Sequence, residues 1–196
     1  RPLSRRTGAV AGMKHGGTRP LSTSRLLLRS FCPADADSCL KNWASDPEVY
    51  RWISQQPMTP QEVSQWLSTA NEAYAAPDTY YWAIVERGSG EVIGEIFVDD
   101  CSRRSRRCEL DWKLGSAYWR HGYATEAAAA VIAYLFSLGF HRVQTKCCIE
   151  NGASARVMQR LGMQQEGVLH DFFFGKDGQW HDVALYAMIN TKEASE

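Results

Sequence analysis

Two carboxylates, Glu109 and Asp111, lie two residues apart in the run Cys108–Leu114. Apolar and polar residues alternate through it, so it reads as a strand with Cys108, Leu110, Trp112 and Leu114 on one face and both acids on the other. Carboxylates so placed are candidates for proton transfer. The next stretch, Tyr118-Trp-Arg-His-Gly-Tyr-Ala-Thr-Glu126, runs into an alanine-rich segment ending at Phe136. A turn at Gly122 that opens a long helix presents backbone N–H groups with no internal partner, together with the positive end of the helix dipole. That is an anion site, suited to phosphate, and neither Gly122 nor Ala124 has a side chain large enough to hold a phosphate off the backbone. These residues alone are equally consistent with a plain strand–turn–helix junction.

Other classes of chemistry are not indicated. The six cysteines (Cys32, Cys39, Cys101, Cys108, Cys147 and Cys148) show no C-x-x-C spacing, no metal-ligand interval with histidine and no Cys/His pattern for a nucleophile. No metal is expected. A Cys101–Cys108 bridge across a hairpin is the weaker reading, and reduced, partly buried thiols in a cytoplasmic protein the stronger. With 22 basic and 22 acidic residues the net charge is zero, so no overall field draws the chain to nucleic acid or a membrane surface. No apolar run reaches the roughly 20 residues that span a bilayer. A Walker-type phosphate loop is ruled out by the absence of G-x-x-x-x-G-K-[ST].

The elements that must position these residues follow in order. Residues 1–22, rich in Gly, Ser, Arg and Pro and without an acid, read as a mobile leader of transit-peptide-like composition, with Met13 a candidate natural start. Residues 23–191 are expected to form a single domain. Ser24–Ser30 reads as a strand, Pro33 opens a helix with Asp35 and Asp37 in its first turn, and Thr59-Pro-Gln-Glu62 caps a second helix. Strands follow at Tyr80–Glu86, Glu91–Asp99 and Cys108–Leu114, then the Gly122 helix and a strand at Arg142–Ile149. A helix capped by Asn151 and closed by Gly162, and a hairpin of Gly167–Phe174 with Trp180–Ile189, complete the chain. The turn Ser102–Arg107 carries four arginines, read as a solvated tip rather than a binding site. The order β-α-α-β-β-β-α-β-α-β-β predicts an α/β fold with a mixed sheet flanked by helices.

Three landmarks in this order, Arg25-Leu-Leu-Leu-Arg29, Tyr118–Glu126, and Asn151-x-x-Ser154 ending in Arg160-Leu-Gly-Met163, resemble the GNAT superfamily of acyl-CoA N-acyltransferases. The likeness spans about Leu21 to Ile189 and is greatest to the branch that includes bacterial ribosomal-protein N-terminal acetyltransferases. It implies acetyl-CoA as co-substrate, its pyrophosphate cradled by backbone amides of Arg120, His121, Gly122, Tyr123, Ala124 and Thr125. It also implies that the strands at Cys108–Leu114 and Arg142–Ile149 splay after a bulge, with pantetheine in the gap against the backbone of Trp112, Lys113 and Leu114. Asn151 would contact the pantetheine amides. The family pattern often has Gln or Arg three residues before the glycine, where this chain has Trp119; neither Trp119 nor His121 has an evident role.

The implied reaction moves acetyl directly to an amine acceptor, a protein N-terminus or a small molecule, without a covalent enzyme intermediate. It needs a base for the ammonium and a hydrogen-bond donor for the departing sulfur. By position in the family pattern Glu109 is the expected base, directly or through water, with Asp111 a weaker understudy; an exposed, paired Glu109 is the competing reading. The tyrosine that many members use as acid is replaced here by Met158, and resemblance points instead to Ser154, whose alternative role is helix capping. His170 and Asp171 are further candidates for substrate contacts. Acceptor choice is expected to lie around Trp43–Trp66 and His170–Trp180, and a homodimer is compatible with all of this. The competing function is a non-catalytic acyl-CoA sensor.

Overall fold

The computed structural model describes residue 13 and residues 15–191. Its centre is an eight-stranded mixed sheet in the order β1-β2-β3-β4-β5-β6-β8-β7. These strands are β1 (Leu21–Ser22), β2 (Leu26–Arg29), β3 (Tyr81–Glu86), β4 (Val92–Ser102), β5 (Arg107–Leu114), β6 (Arg142–Cys148), β7 (Gln164–Phe174) and β8 (Trp180–Ile189). Helices α1 (Ala36–Cys39), α2 (Pro60–Ala73), α3 (Tyr123–Ser137) and α4 (Gly152–Arg160) cover it. Short 3-10 and π turns, Pro33–Asp35 and Leu40–Ala44, extend α1 at either end. The predicted element order stands, with one addition: the two-residue β1, too short to show a period-2 pattern.

Each element follows from its sequence. Glu62 N–H donates to the Thr59 hydroxyl while the Glu62 carboxylate accepts from Thr59 N–H at 2.7 Å, a reciprocal cap that starts α2 where predicted. In α3, Ala127, Ala128, Val131, Ile132 and Leu135 recur at helical spacing and are buried against Leu26, Leu28, Ile84, Ile96, Cys108 and Leu110 of the sheet. A second core on the other face joins Trp43, Val63 and Leu67 to Ala83, Val85 and Val92. A third, smaller one sets Met158 of α4 on Cys147, Ala184 and Tyr186.

The decisive feature lies between β5 and β6. They are parallel neighbours through three pairs only, Arg107–Arg142, Cys108–Val143 and Glu109–Gln144. Beyond that point β5 stays bonded to β4 as far as Gly94–Leu114, and β6 stays bonded to β8 as far as Cys148–Val183. The sheet thus forks after Glu109. The splay expected from resemblance is present, but no bulge precedes it in this pair; the nearby register shift lies in β4 between Asp99 and Ser102.

Part of the expected leader is also structural. The Thr18 hydroxyl donates to the Thr79 carbonyl and accepts from Tyr81 N–H, each at 2.9 Å, the Trp82 indole donates to the Arg19 carbonyl, and β1 pairs with β2. The bonds of Thr18 and Arg19 run to residues some sixty positions distant, which composition cannot reveal. Residues 1–12, also assigned to the leader, lie outside the described residues.

Close approach of β4 and β5 depends on Gly94. A Cβ there would lie 2.2 Å from the Lys113 carbonyl oxygen, a backbone atom that cannot step aside. Gly94→Ala should therefore destabilise the fold by about 2 kcal/mol, as overpacking of this kind does, read as a lower midpoint in urea unfolding.

Candidate active site

The fork opens onto a cavity of about 420 Å³. Its walls come from both sides of the fork: Asp111–Leu114 of β5, Thr145–Cys148 of β6, Tyr118–Arg120 and Gly122–Thr125 of the turn, Asn151 with residues of α4 as far as Arg160, and Glu48, Val49 and Arg51–Ile53 of the α1–α2 loop. A second cavity of about 280 Å³ shares Trp52, Ile53, Asp111, Trp112 and Lys113 with the first, and adds Ser54, Gln55, Phe97 and Phe173. Asp111 thus stands at the junction of the two.

One end presents open backbone donors. The first hydrogen bond of α3 runs from Glu126 N–H to the Gly122 carbonyl, so the N–H groups of Tyr123, Ala124 and Thr125 have no acceptor inside the helix. Gly122 caps the helix at φ 82°, which only glycine adopts freely, and Arg120 is also left-handed at φ 66°. The Thr125 hydroxyl is buried and unpaired in the cavity wall. Arg120, Arg156 and Arg160 bring positive charge to the same cavity. An orphaned donor, three open amides and cations fit a pyrophosphate with phosphate close by.

A clamp holds this turn in place. The Arg25 guanidinium binds Glu126 at 2.6–2.7 Å, donates to the His121 carbonyl at 2.8 Å and lies over the Tyr123 ring, on which His121 stacks. Glu126 also accepts from Thr23, Ser24 and Arg25 N–H. Desolvation raises its pKa, but these bonds outweigh it and bring the carboxyl down to about 2. The His121 side chain, without a role in the sequence reading, stacks in this pile while the His121 carbonyl accepts from Arg25; of the residues expected to cradle the pyrophosphate, His121 is not among the cavity walls. The clamp was missed because its halves are about a hundred residues apart.

Trp119 gains a role as well. Its indole N–H donates to the Leu114 carbonyl at 2.6 Å. Strand residues present their backbone groups to alternate edges. The Lys113 carbonyl faces Gly94 of β4, so Trp112 and Leu114 face the open edge. With the Leu114 carbonyl taken, Trp112 offers the N–H and C=O that an amide-bearing ligand could pair with. Of the three residues expected to pair, Lys113 therefore cannot use its backbone. Asn151 caps α4 by accepting from Ser154 N–H at 3.2 Å, leaving its amide N–H₂ for a ligand and the Ser154 hydroxyl free of the cap. Both residues line the cavity.

The acids separate. Glu109 is buried at the last β5–β6 pair, bound to Lys146 at 2.9 Å and to Gln144 at 3.2 Å, and is not among the cavity walls. Asp111, two residues further into the fork, lines both cavities and has no hydrogen-bond or ion-pair partner among the described residues. Burial pushes its carboxyl up to about 7, with Glu109 and Asp99 adding to the shift and Lys146 and Lys113 opposing it. Lys113 is itself tied to buried Glu95 at 2.6 Å, and Tyr81 donates to the same carboxylate. His170 and Asp171 instead bind Asp182 across the β7–β8 hairpin and line neither cavity. Arg107 of the arginine-rich turn pairs with Asp100, at the end of β5 away from the fork.

The α1–α2 loop, inside the Trp43–Trp66 stretch where acceptor choice was expected, supplies Trp52 to Gln55 to the second cavity. Tyr50 is fully buried, and Lys176 of the β7–β8 turn donates to the carbonyls of Tyr50 and Gln55. His181, held between Asp177 and Glu150, meets Trp52 edge-on.

Removing the clamp charge tests the support. Glu126→Gln should destabilise the protein by about 2 kcal/mol, discounted because Arg25 is partly exposed. The loss should shrink as pH falls from about 4.5 towards 2, where Glu126 itself becomes protonated, in urea titrations across that range.

Comparison with known proteins converges on one family. An acetyltransferase (GNAT) domain profile matches residues 25–164. "Uncharacterized N-acetyltransferase p20" of Bacillus licheniformis is 32% identical over 89% of this chain and 98% of its own length. The [ribosomal protein uS5]-alanine N-acetyltransferase of Escherichia coli is 26% identical over 86% of this chain and 89% of its own. Among solved structures, a GNAT-family acetyltransferase from Bacillus anthracis superposes with a TM-score of 0.76 at 26% identity, covering 87% of this chain and 98% of that one. The forked sheet, the turn of open amides and these likenesses agree: the chain belongs to the GNAT family of N-acetyltransferases, enzymes that take acetyl from acetyl-CoA.

Proposed function

We propose that this enzyme transfers acetyl directly to a primary amine, with Asp111 rather than Glu109 as the base. The observation that carries the reading is the unpaired Asp111 carboxyl at the junction of the two cavities, pushed up to about 7. A base with a pKa near the working pH holds both the unprotonated fraction and the basicity it needs. Glu109, paired to Lys146, acts on it from a distance.

In this reading the donor lies with its pyrophosphate on the amides of Tyr123–Thr125 and its pantetheine along the open edge at Trp112. Asp111 takes one proton from the arriving ammonium. The amine lone pair then forms the N–C bond to the thioester carbonyl carbon and the C–S bond breaks. The second proton, acidified once the N–C bond exists, neutralises the thiolate, while the Ser154 hydroxyl donates a hydrogen bond to the departing sulfur. Met158, buried in the third core, supplies no proton. The six cysteines are free thiols, which supports the cytoplasmic setting read from the sequence.

Asp111→Asn should lower kcat/KM by at least about 100-fold and abolish the limb near pH 7. Glu109→Gln should cost under about tenfold and move that limb to lower pH, because Glu109 raises the Asp111 pKa and the released Lys146 lowers it. Thiol release from acetyl-CoA across pH 5–9 measures both; a larger loss from Glu109→Gln would make Glu109 the base. Trp119→Phe, which frees the Leu114 carbonyl, should raise the KM for acetyl-CoA about fivefold with kcat little changed, as loss of about 1 kcal/mol of positioning does.

A further inference from the structure

The second cavity narrows the acceptor, on the reading that Asp111 is where the amine arrives. Beyond Asp111 its walls are Trp52, Ile53, Phe97, Trp112 and Phe173, with Ser54 and Gln55 from the covering loop. Its one cation, Lys113, is bound to buried Glu95 at 2.6 Å and sits between the rings of Tyr50 and Phe97, so its charge is already met. A carboxylate entering here would find no free partner and would face Asp111, and burying an unpaired charge is costly. A second ammonium would have no acid beyond Asp111 in the walls. An aromatic group, by contrast, finds ring faces and edges, and about 280 Å³ exceeds the roughly 150 Å³ that suffices for benzene.

Two contacts make the walls a fixed surface. Trp52 is backed edge-on by His181, and Phe173 packs against the same imidazole at 6.1 Å. His181 is in turn anchored to Asp177 at 3.1 Å and Glu150 at 3.4 Å. Residues from the α1–α2 loop, the β7–β8 hairpin and the β6–α4 turn thus hold one aromatic lining over the reactive carboxyl.

We infer that the preferred acceptor is a primary amine bearing an aromatic or other bulky apolar group close to the nitrogen, with no carboxylate beside the amine and no second cation. Asp111 receives the ammonium, and Trp52, Phe97 and Phe173 receive the apolar group. Free amino acids and polyamines are both disfavoured, the first by the unpaired anion and the second by a distal charge in an aromatic lining.

A matched series tests this in the full-length enzyme: 2-phenylethylamine, phenylalaninamide, phenylalanine and spermidine, with thiol release from acetyl-CoA as the readout. The first two should exceed the last two in kcat/KM by about tenfold or more. Phe173→Ala should raise the KM for 2-phenylethylamine about fivefold and narrow its lead over spermidine. Phenylalanine or spermidine performing as well as 2-phenylethylamine would overturn the inference. Binding read from tryptophan fluorescence with CoA present separates the two levels, since Trp52 and Trp112 are in the wall. Selective binding of 2-phenylethylamine without turnover of any amine would sink the catalytic reading and keep the specificity. Equal affinity for 2-phenylethylamine and phenylalanine, or no binding of either, would sink the specificity.

Discussion

Backbone hydrogen bonding allows β5 one partner on each edge, and past Glu109 the second edge has none. The rest of the site depends on that release. While the two strands run together they seal the sheet, and Glu109 and Gln144 are spent on holding the last pair closed. Once they part, β4 and β8 carry the two halves away from each other, and a wedge opens whose walls are strand backbone. The buried α3 face and the second core keep the left half rigid, while Met158 on Cys147 and Tyr186 does the same for the right. An opening bounded by two well-packed half-sheets can stay open without ligand, because each half is held by its own helices while Val143 and Trp112 join the two at the base.

The same fork explains why two acids two residues apart on one strand differ in chemistry. Glu109 lies where the strands are still joined and Lys146 of the neighbouring strand can reach it. Asp111 lies where the neighbour has gone, so its carboxyl is flanked by cavity and aromatic side chains rather than by a partner. Lys113 does not pair with it, because Glu95, which also accepts from Tyr81, holds that ammonium. Electrostatic neighbours then push Asp111 in the direction that burial has already begun. Position relative to the fork decides the outcome for these two side chains, which share a strand face and similar chemistry.

At the other end of the wedge the demands are opposite. An anion site needs open amides held still, and open amides are the least restrained part of a helix. Arg25 resolves this from β2 by gripping Glu126, the His121 carbonyl and the Tyr123 ring together, with the carboxylate on the favourable end of the helix dipole. Trp119 ties the same turn back to Leu114, so the turn is fixed to the strand that forms the open edge. Standing where the family pattern often has Gln or Arg, Trp119 makes a scaffold contact.

Local sequence determined the elements, since caps, periodicity and glycines act within a few residues of where they stand. Thr59 and Glu62 start α2, Asn151 starts α4, and Gly122 takes a conformation at the turn that its missing Cβ permits. The glycine turn with its open amides was legible for the same reason, whereas the splay that opens the edge at Trp112 was expected only from resemblance. Tertiary structure alone decided which carboxylate faces the cavity, that Arg25 and Glu126 form a clamp, that residues 15–22 are bound to the domain, and that Trp52 rather than Trp43 lines the cavities. Each of these rests on the meeting of segments far apart in the chain, and on the burial and charge that only such a meeting creates. A carboxylate's pKa, unlike its helix cap, belongs to its surroundings, and the surroundings of Asp111 come from strands, loops and a hairpin that the local pattern around it does not specify.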